Sequence, residues 1–509
     1  MAEEKSEAAA PEQPTGQGTG SVRGVYASIP ADRATGVPEP ASARLTWTDG
    51  ERSIDYEARA SHLDVRDDAG VLLGRMFSVS YVAVDGEGRA DASRPVTFAY
   101  NGGPGSSSVP INLGGIGPRR VATDGVSHLR ADAPIEDNPH TLLAESDVVF
   151  LDALGTGWSV LAEDADPKKV FCTDGDADAF ARAICAWLTE NGRWSSPLYL
   201  FGESYGTVRN SVLMRLLGER GVQLTGVVML SAVFNIAGLL NPGDDLYYLG
   251  MMPTFAATAQ FFGRAGAGVD EDEWLSRAMD FTERELAPAL LRGDRLGEAE
   301  ERAVAERMAT FIGLSAEHIL AHHLRVDLLD FRTHLLADEG RVCGRLDTRF
   351  SSDAPSPMQS YDMWLAGEDP ADDAVEGAWV RAFRRLCADD LGYAGPARYL
   401  SNNYDKVNAG WDWGHEEPGL GRVATPNVSL DIAVAMRRNP TLKLAILGGR
   451  YDAATTWWNV VHDMSCQFLS PALKSRVSWH LYGCGHMAYV DEPTLEAMGH
   501  DLHEFYERR

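Results

Sequence analysis

The sequence predicts an α/β protein built on a mostly parallel central sheet. Short apolar runs typical of buried strands alternate with segments compatible with helices, and several of the runs end in glycine-containing loops. Strands that alternate with helices form a parallel sheet covered on both faces. The chain has 509 residues, of which 44% are hydrophobic and 24% are charged, as in globular proteins.

Composition excludes several classes of function. The formal net charge is −28, from 46 basic and 74 acidic residues, which argues against nucleic acid or an anionic membrane as a partner. Six cysteines occur without a C-x-x-C pair or zinc-finger spacing. The first 21 residues hold no apolar run, and no stretch approaches about 18 apolar residues. The sequence as given is therefore expected to be cytoplasmic.

Four regions are predicted along the chain. Residues 1–40 are rich in proline and small residues and are expected to be a disordered tail. Residues 41–240 form the first part of the core, which opens with short alternating runs between residues 43 and 84 that indicate an antiparallel meander. Residues 241–420 are a helical cap insertion, and residues 421–509 complete the core.

The predicted elements follow this division. Core strands are expected at residues 96–100, 147–152, 198–201, 227–230, 442–447 and 477–481, and core helices at 177–190, from 207 onward, 430–437, 457–468 and 495–506. Within the insertion, charged faces and apolar stripes predict helices at residues 274–309, 316–336 and 374–391.

The segment from Leu198 to Thr207 is the centre of the functional prediction. An apolar strand runs into Gly202-x-Ser204-x-Gly206, and a helix-compatible segment follows. This strand–turn–helix context is that of a nucleophile elbow, in which the glycines let two backbones cross and the serine occupies a strained apex. The pattern alone is also compatible with an ordinary glycine-rich turn.

Two late loops supply partners for this serine. Asp452 follows the strand at 442–447 and a Gly-Gly pair, and His486 follows the strand at 477–481. A serine nucleophile needs a base and an acid that orients the base, and in α/β-hydrolases these occur in the order Ser, Asp or Glu, His. The order predicts a triad of Ser204, Asp452 and His486 in an α/β-hydrolase fold.

A hydrolase of this kind also needs donors for the developing oxyanion. One is expected to be the backbone N–H of Tyr205, directly after the nucleophile. The other is expected from the glycine-rich loop that begins at Asn101 and follows the strand at 96–100.

Other histidines are assigned structural roles. The pair His322 and His323 lies in a predicted cap helix and is interpreted as packed or solvated rather than as a metal site. His415 is expected to be structural or to line a cleft, and His480 to fill the sheet. Asp463 and Asp491 lie near the two loops, but neither directly follows a strand.

With these segments identified, the chain resembles the serine carboxypeptidase family. The resemblance rests on Asn-Gly-Gly-Pro-Gly-Ser-Ser-Ser at 101–108, Gly-Glu-Ser-Tyr-Gly at 202–206, Asp452 after two glycines, and Gly-Cys-Gly-His-Met at 483–487. It extends over about residues 44 to 508 and is weakest in the cap.

The resemblance implies an exopeptidase that removes the C-terminal residue of peptides. It implies that Asn101, the Gly102 amide and Glu203 bind the terminal carboxylate, and that Gly103 and Tyr205 form the oxyanion hole. Glu203 can hydrogen-bond a carboxylate only when it is protonated, because two anions in one pocket repel.

The chain departs from the secreted members of this family. Ser106 stands where they usually have a cysteine, and Gly-Thr-Val-Arg at 206–209 replaces Ala-Gly-His-Tyr. The absence of this cysteine is consistent with a reducing compartment. The altered motifs are more similar to those of bacterial members of the family. They affect the expected side-chain specificity rather than the chemistry.

The predicted function is thus a serine carboxypeptidase that acts through an acyl-enzyme on Ser204, with no metal or organic cofactor. Its expected partners are peptides with a free C-terminus, and the oligomeric state, including a homodimer, is open. An esterase or acyltransferase on the same fold is the first alternative, and a catalytically silent binding protein is the second.

Overall fold

The computed structural model describes residues 37–123, 125–130, 132–356, 369–396 and 398–508. The predicted disordered tail, residues 1–40, lies outside the described residues up to position 36. A central sheet of ten described strands runs through the chain. Nine of them are labelled here: β1 (Ala41–Thr48), β2 (Ser53–Arg66), β3 (Leu72–Ala83), β4 (Val96–Tyr100), β5 (Asp147–Leu151), β6 (Leu198–Glu203), β7 (Gly226–Leu230), β8 (Lys443–Gly449) and β9 (Val477–Tyr482).

The strand order is β1-β2-β3-β5-β4-β6-β7-β8-β9, and the short strand Val160–Leu161 pairs with β3. Strands β4 to β9 pair in parallel, whereas β1, β2 and β3 are antiparallel to their neighbours. The mostly parallel sheet and its N-terminal meander confirm the predicted fold class. One detail differs: part of the region predicted as short alternating runs, residues 53–66, forms the single long strand β2.

The central strands are buried on both faces. Every residue of β4, β5 and β7 is buried, and their side chains alternate between two apolar cores. Phe98 and Met229 lie in one core, while Ala99 and Val228 lie in the other. This period of two follows from the pleat of a strand, and a continuous apolar run is what a doubly covered sheet requires.

Helices cover these faces and form the insertion. Their bounds are α1 (Thr173–Glu190), α2 (Tyr205–Glu219), α3 (Ile236–Leu240), α4 (Asp245–Phe261), α5 (Glu271–Phe281), α6 (Ala287–Arg292), α7 (Glu298–Ile312), α8 (Ala316–Ala321), α9 (Leu328–His334), α10 (Pro370–Arg385), α11 (Ser429–Arg438), α12 (Trp457–Ser465), α13 (Pro471–Lys474) and α14 (Glu492–Glu507). None of the described helices combines the length and apolarity needed to cross a bilayer.

Shorter elements connect them. Single turns of π- or 3₁₀-helix lie at Pro110–Ile116, Leu142–Ala144, Pro167–Lys169, Thr282–Leu286, Gly293–Arg295, Ala337–Glu339, Leu386–Asp390, Tyr404–Asn408 and Ala488–Val490. Two-stranded ribbons pair Arg119–Arg120 with Glu136–Asp137, Arg341–Cys343 with Ser351–Asp353, and His415–Glu417 with Gly421–Val423.

The insertion contains helices, but they are shorter than the sequence pattern predicts. The helix expected over 274–309 is divided into α5, α6 and α7, with a break at Gly293, whose φ is +52°. The helix expected over 316–336 is divided into α8 and α9 by a turn in which His323 and Leu324 have φ values of +48° and +65°. Apolar periodicity continued through both breaks, so it could not locate them. The four-region division of the chain stays a prediction.

Candidate active site

Ser204 lies at the turn between β6 and α2. Its φ and ψ are +59° and −129°, a conformation that L-residues rarely adopt. The backbone N–H of Ser204 donates to the carbonyl of Leu230 on β7 at 3.0 Å, which fixes the turn against the neighbouring strand. A Cβ atom at Gly202 would lie 2.3 Å from the carbonyl oxygen of Gly206. Glycine is therefore required where strand and helix cross, as the elbow motif predicts.

Asp452 and His486 are brought together by the ends of β8 and β9. The Oδ2 atom of Asp452 lies 2.8 Å from Nδ1 of His486, and both residues are buried. The position of His486 is fixed by its backbone, whose N–H donates to Leu346 and whose carbonyl accepts the hydroxyl of Ser231 at 2.6 Å. The pair predicted from chain order is thus formed.

Several donors surround the carboxylate of Asp452. Its Oδ1 accepts the backbone N–H groups of Ala454 and Thr455 at 2.8 and 2.9 Å, and its Oδ2 accepts the hydroxyl of Thr455 at 2.7 Å. Burial by itself lowers the pKa of His486, but the charge and hydrogen bond of Asp452 outweigh burial and raise it. This arrangement stabilises an imidazolium.

The loop after β4 packs directly against the elbow. A Cβ atom at Gly102 would lie only 2.4 Å from the backbone nitrogen of Tyr205, so the two backbones approach as closely as glycine permits. Gly103 has φ of +103°, a left-handed conformation that glycine adopts without strain. The two predicted oxyanion donors, the amides of Gly103 and Tyr205, therefore belong to adjacent backbone segments.

The predicted carboxylate-binding residues form a second buried group. Oε2 of Glu203 accepts the hydroxyl of Tyr489 at 2.8 Å, and Nδ2 of Asn101 donates to the same hydroxyl oxygen at 3.4 Å. Oδ1 of Asn101 accepts the backbone N–H of Ile111, which orients the amide. Burial raises the pKa of Glu203 to about 7, and the charge of Asp452 acts in the same direction.

One cleft of about 1450 Å³ joins these groups. Of the eight predicted site residues, seven line it: Asn101, Gly102, Gly103, Glu203, Ser204, Tyr205 and His486. Asp452 is not among the lining residues and reaches the site through His486. The other wall comes from α10 and the segment between positions 398 and 408.

Sequence reasoning missed the residues that hold this site in place. Besides Tyr489 and Thr455, the main one is Arg209, which is fully buried in α2. Its guanidinium forms an ion pair with Asp176 at 2.7 Å and donates to the carbonyl of Asn101 at 3.0 Å. The one available signal was a charged residue within a helix whose neighbours are otherwise small or apolar.

Ser106 shows what replaces the cysteine expected at this position in secreted members of the resembled family. Its hydroxyl donates to Oδ1 of Asn402 at 2.7 Å, and the two residues form a β-bridge. The six cysteines of the chain, all within the described ranges, are unpaired. Hydrogen bonds therefore connect the loop after β4 to the segment near Asn402.

The competing histidines lie elsewhere. His415 is buried between Asp174 at 2.5 Å and Asp431 at 2.9 Å. Burial opposes protonation, but these two carboxylates raise the pKa of His415 to about 9. His480 contacts Asp501 at 2.9 Å. Among the described histidines, only His486 lines the cleft.

Comparison with known proteins places this geometry in context. Residues 62–240, which include the loop after β4 and the elbow, match the family model described as serine carboxypeptidase. The chain is similar in structure to Kex1, a prohormone-processing carboxypeptidase from Saccharomyces cerevisiae, with 13% identity, a TM-score of 0.51, and coverage of 92% of this chain and 91% of Kex1. A putative aryl esterase from Burkholderia cenocepacia aligns at 14% identity and a TM-score of 0.33, with coverage of 87% and 97%. The similarity to Kex1 supports the fold alone.

Proposed function

We propose that the chain, whose residues 62–240 match the serine carboxypeptidase family model, acts as a member of that family and removes C-terminal residues from peptides through an acyl-enzyme on Ser204. The observation that carries the proposal is the buried carboxyl group of Glu203 in the cleft. Glu203 is buried, its pKa is raised to about 7 by burial, and it lies beside Asn101 in the cleft that holds Ser204 and His486.

This carboxyl group gives the cleft a means of recognising a peptide end. In its neutral form, Glu203 donates a hydrogen bond to the terminal carboxylate of a substrate, together with the Asn101 side chain and the Gly102 amide. A neutral donor is needed because an ionised Glu203 would repel the substrate's charge. An enzyme that acts on neutral esters or internal peptide bonds has no need of such a group.

The proposed chemical step assigns the roles of a serine hydrolase to the other residues. The Oγ atom of Ser204 attacks the scissile carbonyl carbon, and Nε2 of His486 takes the hydroxyl proton as the new C–O bond forms. Asp452 holds Nδ1–H of His486 and stabilises the imidazolium. The amides of Gly103 and Tyr205 donate to the negative oxygen of the tetrahedral intermediate.

The acyl-enzyme forms when the C–N bond breaks. His486 gives its proton to the departing amine, which is the C-terminal amino acid. Water then attacks the ester carbonyl, with His486 again accepting a proton, and the shortened peptide leaves as Ser204 regains its hydrogen.

The direct test is Ser204→Ala, assayed on a blocked dipeptide with a free C-terminus. Turnover is expected to fall by at least about 10⁴-fold, because the nucleophile is lost, while circular dichroism and the melting temperature stay near wild type. The wild-type chain should also be labelled by a fluorophosphonate probe, and the variant should not. A variant that keeps wild-type turnover contradicts the proposal.

An esterase or acyltransferase remains the second candidate, because the same elbow and triad support both reactions. The glycine-rich cleft could accept an ester, and an alcohol could take the place of water. Rapid hydrolysis of a short-chain p-nitrophenyl ester together with no release of amino acid from blocked dipeptides would favour this candidate. Absence of labelling by the fluorophosphonate would instead favour a silent binding protein.

A further inference from the structure

Four side chains of the insertion converge at the ends of α8 and α9, away from the described cleft. Nε2 of His318 lies 2.6 Å from Oδ2 of Asp330, and Nε2 of His322 lies 3.7 Å from Oδ1 of the same residue. Nδ1 of His334 lies 3.1 Å from that Oδ1 atom. The rings of His322 and His334 have centroids within 4.7 and 4.6 Å of the ring of His318. We call these four residues the histidine cluster.

The cluster consists of two pairs with the same spacing. His318 and His322 are four residues apart at the end of α8, and Asp330 and His334 are four residues apart on α9. Residues four apart lie on one face of a helix, so each helix presents two ligand-bearing side chains to the other. Three of the four residues offer ligand atoms that all lie within 4.8 Å of one another.

One of the histidines is already oriented as metal ligands usually are. Nδ1 of His322 lies 2.9 Å from the carbonyl oxygen of His318, and its Nε2 is the ring nitrogen on the side of Asp330. An imidazole that donates Nδ1–H to a backbone carbonyl keeps the lone pair on Nε2 for a metal.

We propose that the histidine cluster binds one divalent transition-metal ion, with Zn²⁺ the best match. Three imidazoles and one carboxylate suit Zn²⁺ and the ions close to it in softness, whereas Mg²⁺ and Ca²⁺ prefer oxygen ligands. Four protein ligands complete a tetrahedral shell and leave no open position, which is the form of a structural site.

The rearrangement required of His318, Asp330 and His334 is small. Zn²⁺ holds imidazole nitrogen and carboxylate oxygen at about 2.0–2.2 Å, which sets neighbouring ligand atoms about 3.4 Å apart in a tetrahedron. The present separations, up to 4.8 Å among His318, Asp330 and His334, approach this value. The four side chains are partly exposed, with values of 13% for Asp330 to 49% for His334, so rotamer changes are unhindered and an ion can enter from solvent.

The site would connect α8 to a helix that forms part of the active-site wall. On α9, Phe331 stacks on Phe255 of α4 with ring centroids 3.9 Å apart, and Arg332 lines the cleft. An ion held between α8 and α9 therefore restrains the helix that positions Arg332. It stabilises the insertion and takes no part in the chemistry at Ser204.

The test uses the full chain without a histidine tag. Zn²⁺ binding is measured by competition with a chromophoric chelator, and Co²⁺ is used as a spectroscopic probe. We expect one equivalent of Zn²⁺ per chain and the intense visible bands of tetrahedral Co²⁺. His318→Ala and His334→Ala should each weaken Zn²⁺ binding by at least about tenfold. Removing a residue that only hydrogen-bonds to a metal ligand already costs about that much affinity, and removing a ligand itself should cost more.

The matched control is His323→Ala. His323 adjoins His322 in sequence, but its side chain is 81% exposed and contacts Glu301 instead of the cluster. This variant should bind Zn²⁺ as the wild type does. Equal weakening by His323→Ala, or equal binding by wild type and His334→Ala, would overturn the proposal in favour of a hydrogen-bonded polar cluster.

A second measurement does not depend on how well the variants fold. One equivalent of Zn²⁺ should raise the melting temperature of the wild-type chain, and the same amount of Mg²⁺ should not. No visible Co²⁺ bands and no thermal shift in wild type would also reject the site. Neither readout involves peptidase activity, so this inference and the proposed function can fail independently.

Discussion

Asp452 and Glu203 are both buried carboxyl groups of the proposed active site, yet their surroundings differ. Asp452 accepts two backbone N–H groups, one hydroxyl and the imidazole of His486. The side chains that donate to Glu203 are neutral, the Tyr489 phenol and the Asn101 amide, and burial raises the pKa of Glu203 to about 7. We call these the triad region and the clamp region.

The difference shows how local donors set the use of a carboxyl group. Several donors hold the carboxylate of Asp452 beside His486, so Asp452 can support a positive imidazole. Few donors and burial favour the neutral form, so Glu203 can meet another carboxylate without repulsion. Two carboxyl groups therefore serve opposite electrostatic purposes, Glu203 in the cleft and Asp452 behind His486.

The largest expected effect comes from breaking the triad region. Asp452→Asn should lower kcat by about 10⁴-fold, because an amide holds His486 in the wrong tautomer and provides no charge for the imidazolium. Steady-state kinetics on the blocked dipeptide measure this. Asp463→Asn is the control, since Asp463 is also buried but contacts His462 rather than His486. Equal losses in the two variants would contradict the assignment.

Removing the support of the clamp region should come second. Arg209→Leu leaves Asp176 buried without its partner and removes the donor to Asn101, so the free energy of unfolding should fall by about 3–5 kcal/mol. Urea denaturation measures the change. Adding Asp176→Leu should recover part of the loss, whereas Arg220→Leu, which breaks an exposed pair with Asp178, should cost less than about 1 kcal/mol. A double variant that is less stable than Arg209→Leu would refute this account.

The clamp region should also impose a pH dependence. The neutral form of Glu203 predominates below its pKa of about 7, so KM should rise by up to about tenfold per pH unit above that value as the ionised form repels substrate. Glu203→Gln keeps a neutral donor and should make KM nearly constant over this range. A wild-type KM that does not change from mildly acidic to alkaline pH would exclude the role proposed for Glu203.

Tyr489→Phe should have the smallest effect. Loss of one hydrogen bond to Glu203 costs about 1 kcal/mol, or about fivefold in KM. The bond from Tyr489 lowers the pKa of Glu203, so its removal should move the alkaline rise of KM to higher pH. Tyr482→Phe is the control, because the Tyr482 hydroxyl contacts Asp501 instead. If KM of Tyr489→Phe instead began to rise at lower pH than in wild type, the proposed effect of Tyr489 on the pKa of Glu203 would be contradicted.

The fold class and the candidate triad residues could be predicted from the sequence. Buried strands were visible as continuous apolar runs, and Ser204, Asp452 and His486 each followed such a run. The contact of Asp452 with His486, and the position of Ser204 on the same cleft as His486, could therefore be predicted. The residues that hold the site in place, such as Tyr489, could not be predicted. Tyr489 meets Glu203 from 286 positions away, and no periodicity encodes a contact of that separation.

The insertion was the least predictable part for a related reason. Its apolar stripes located helical segments but not their ends, since the break at Gly293 and the turn after α8 interrupt no stripe. The spacing of His318 and His322 was present in the sequence. The matching pair on α9, Asp330 and His334, could be related to it only from the structure, in which the turn at His323 brings the two helices together.

The most direct measurement compares a blocked dipeptide that ends in a free carboxylate with the same dipeptide amide. If Glu203 and Asn101 bind a terminal carboxylate next to Ser204, kcat/KM should be higher for the free acid by at least about 100-fold, as expected when a site built for hydrogen bonding loses its partner. Equal rates on both substrates would contradict the account, because the cleft would then be hydrolysing an acyl bond without recognising a C-terminus.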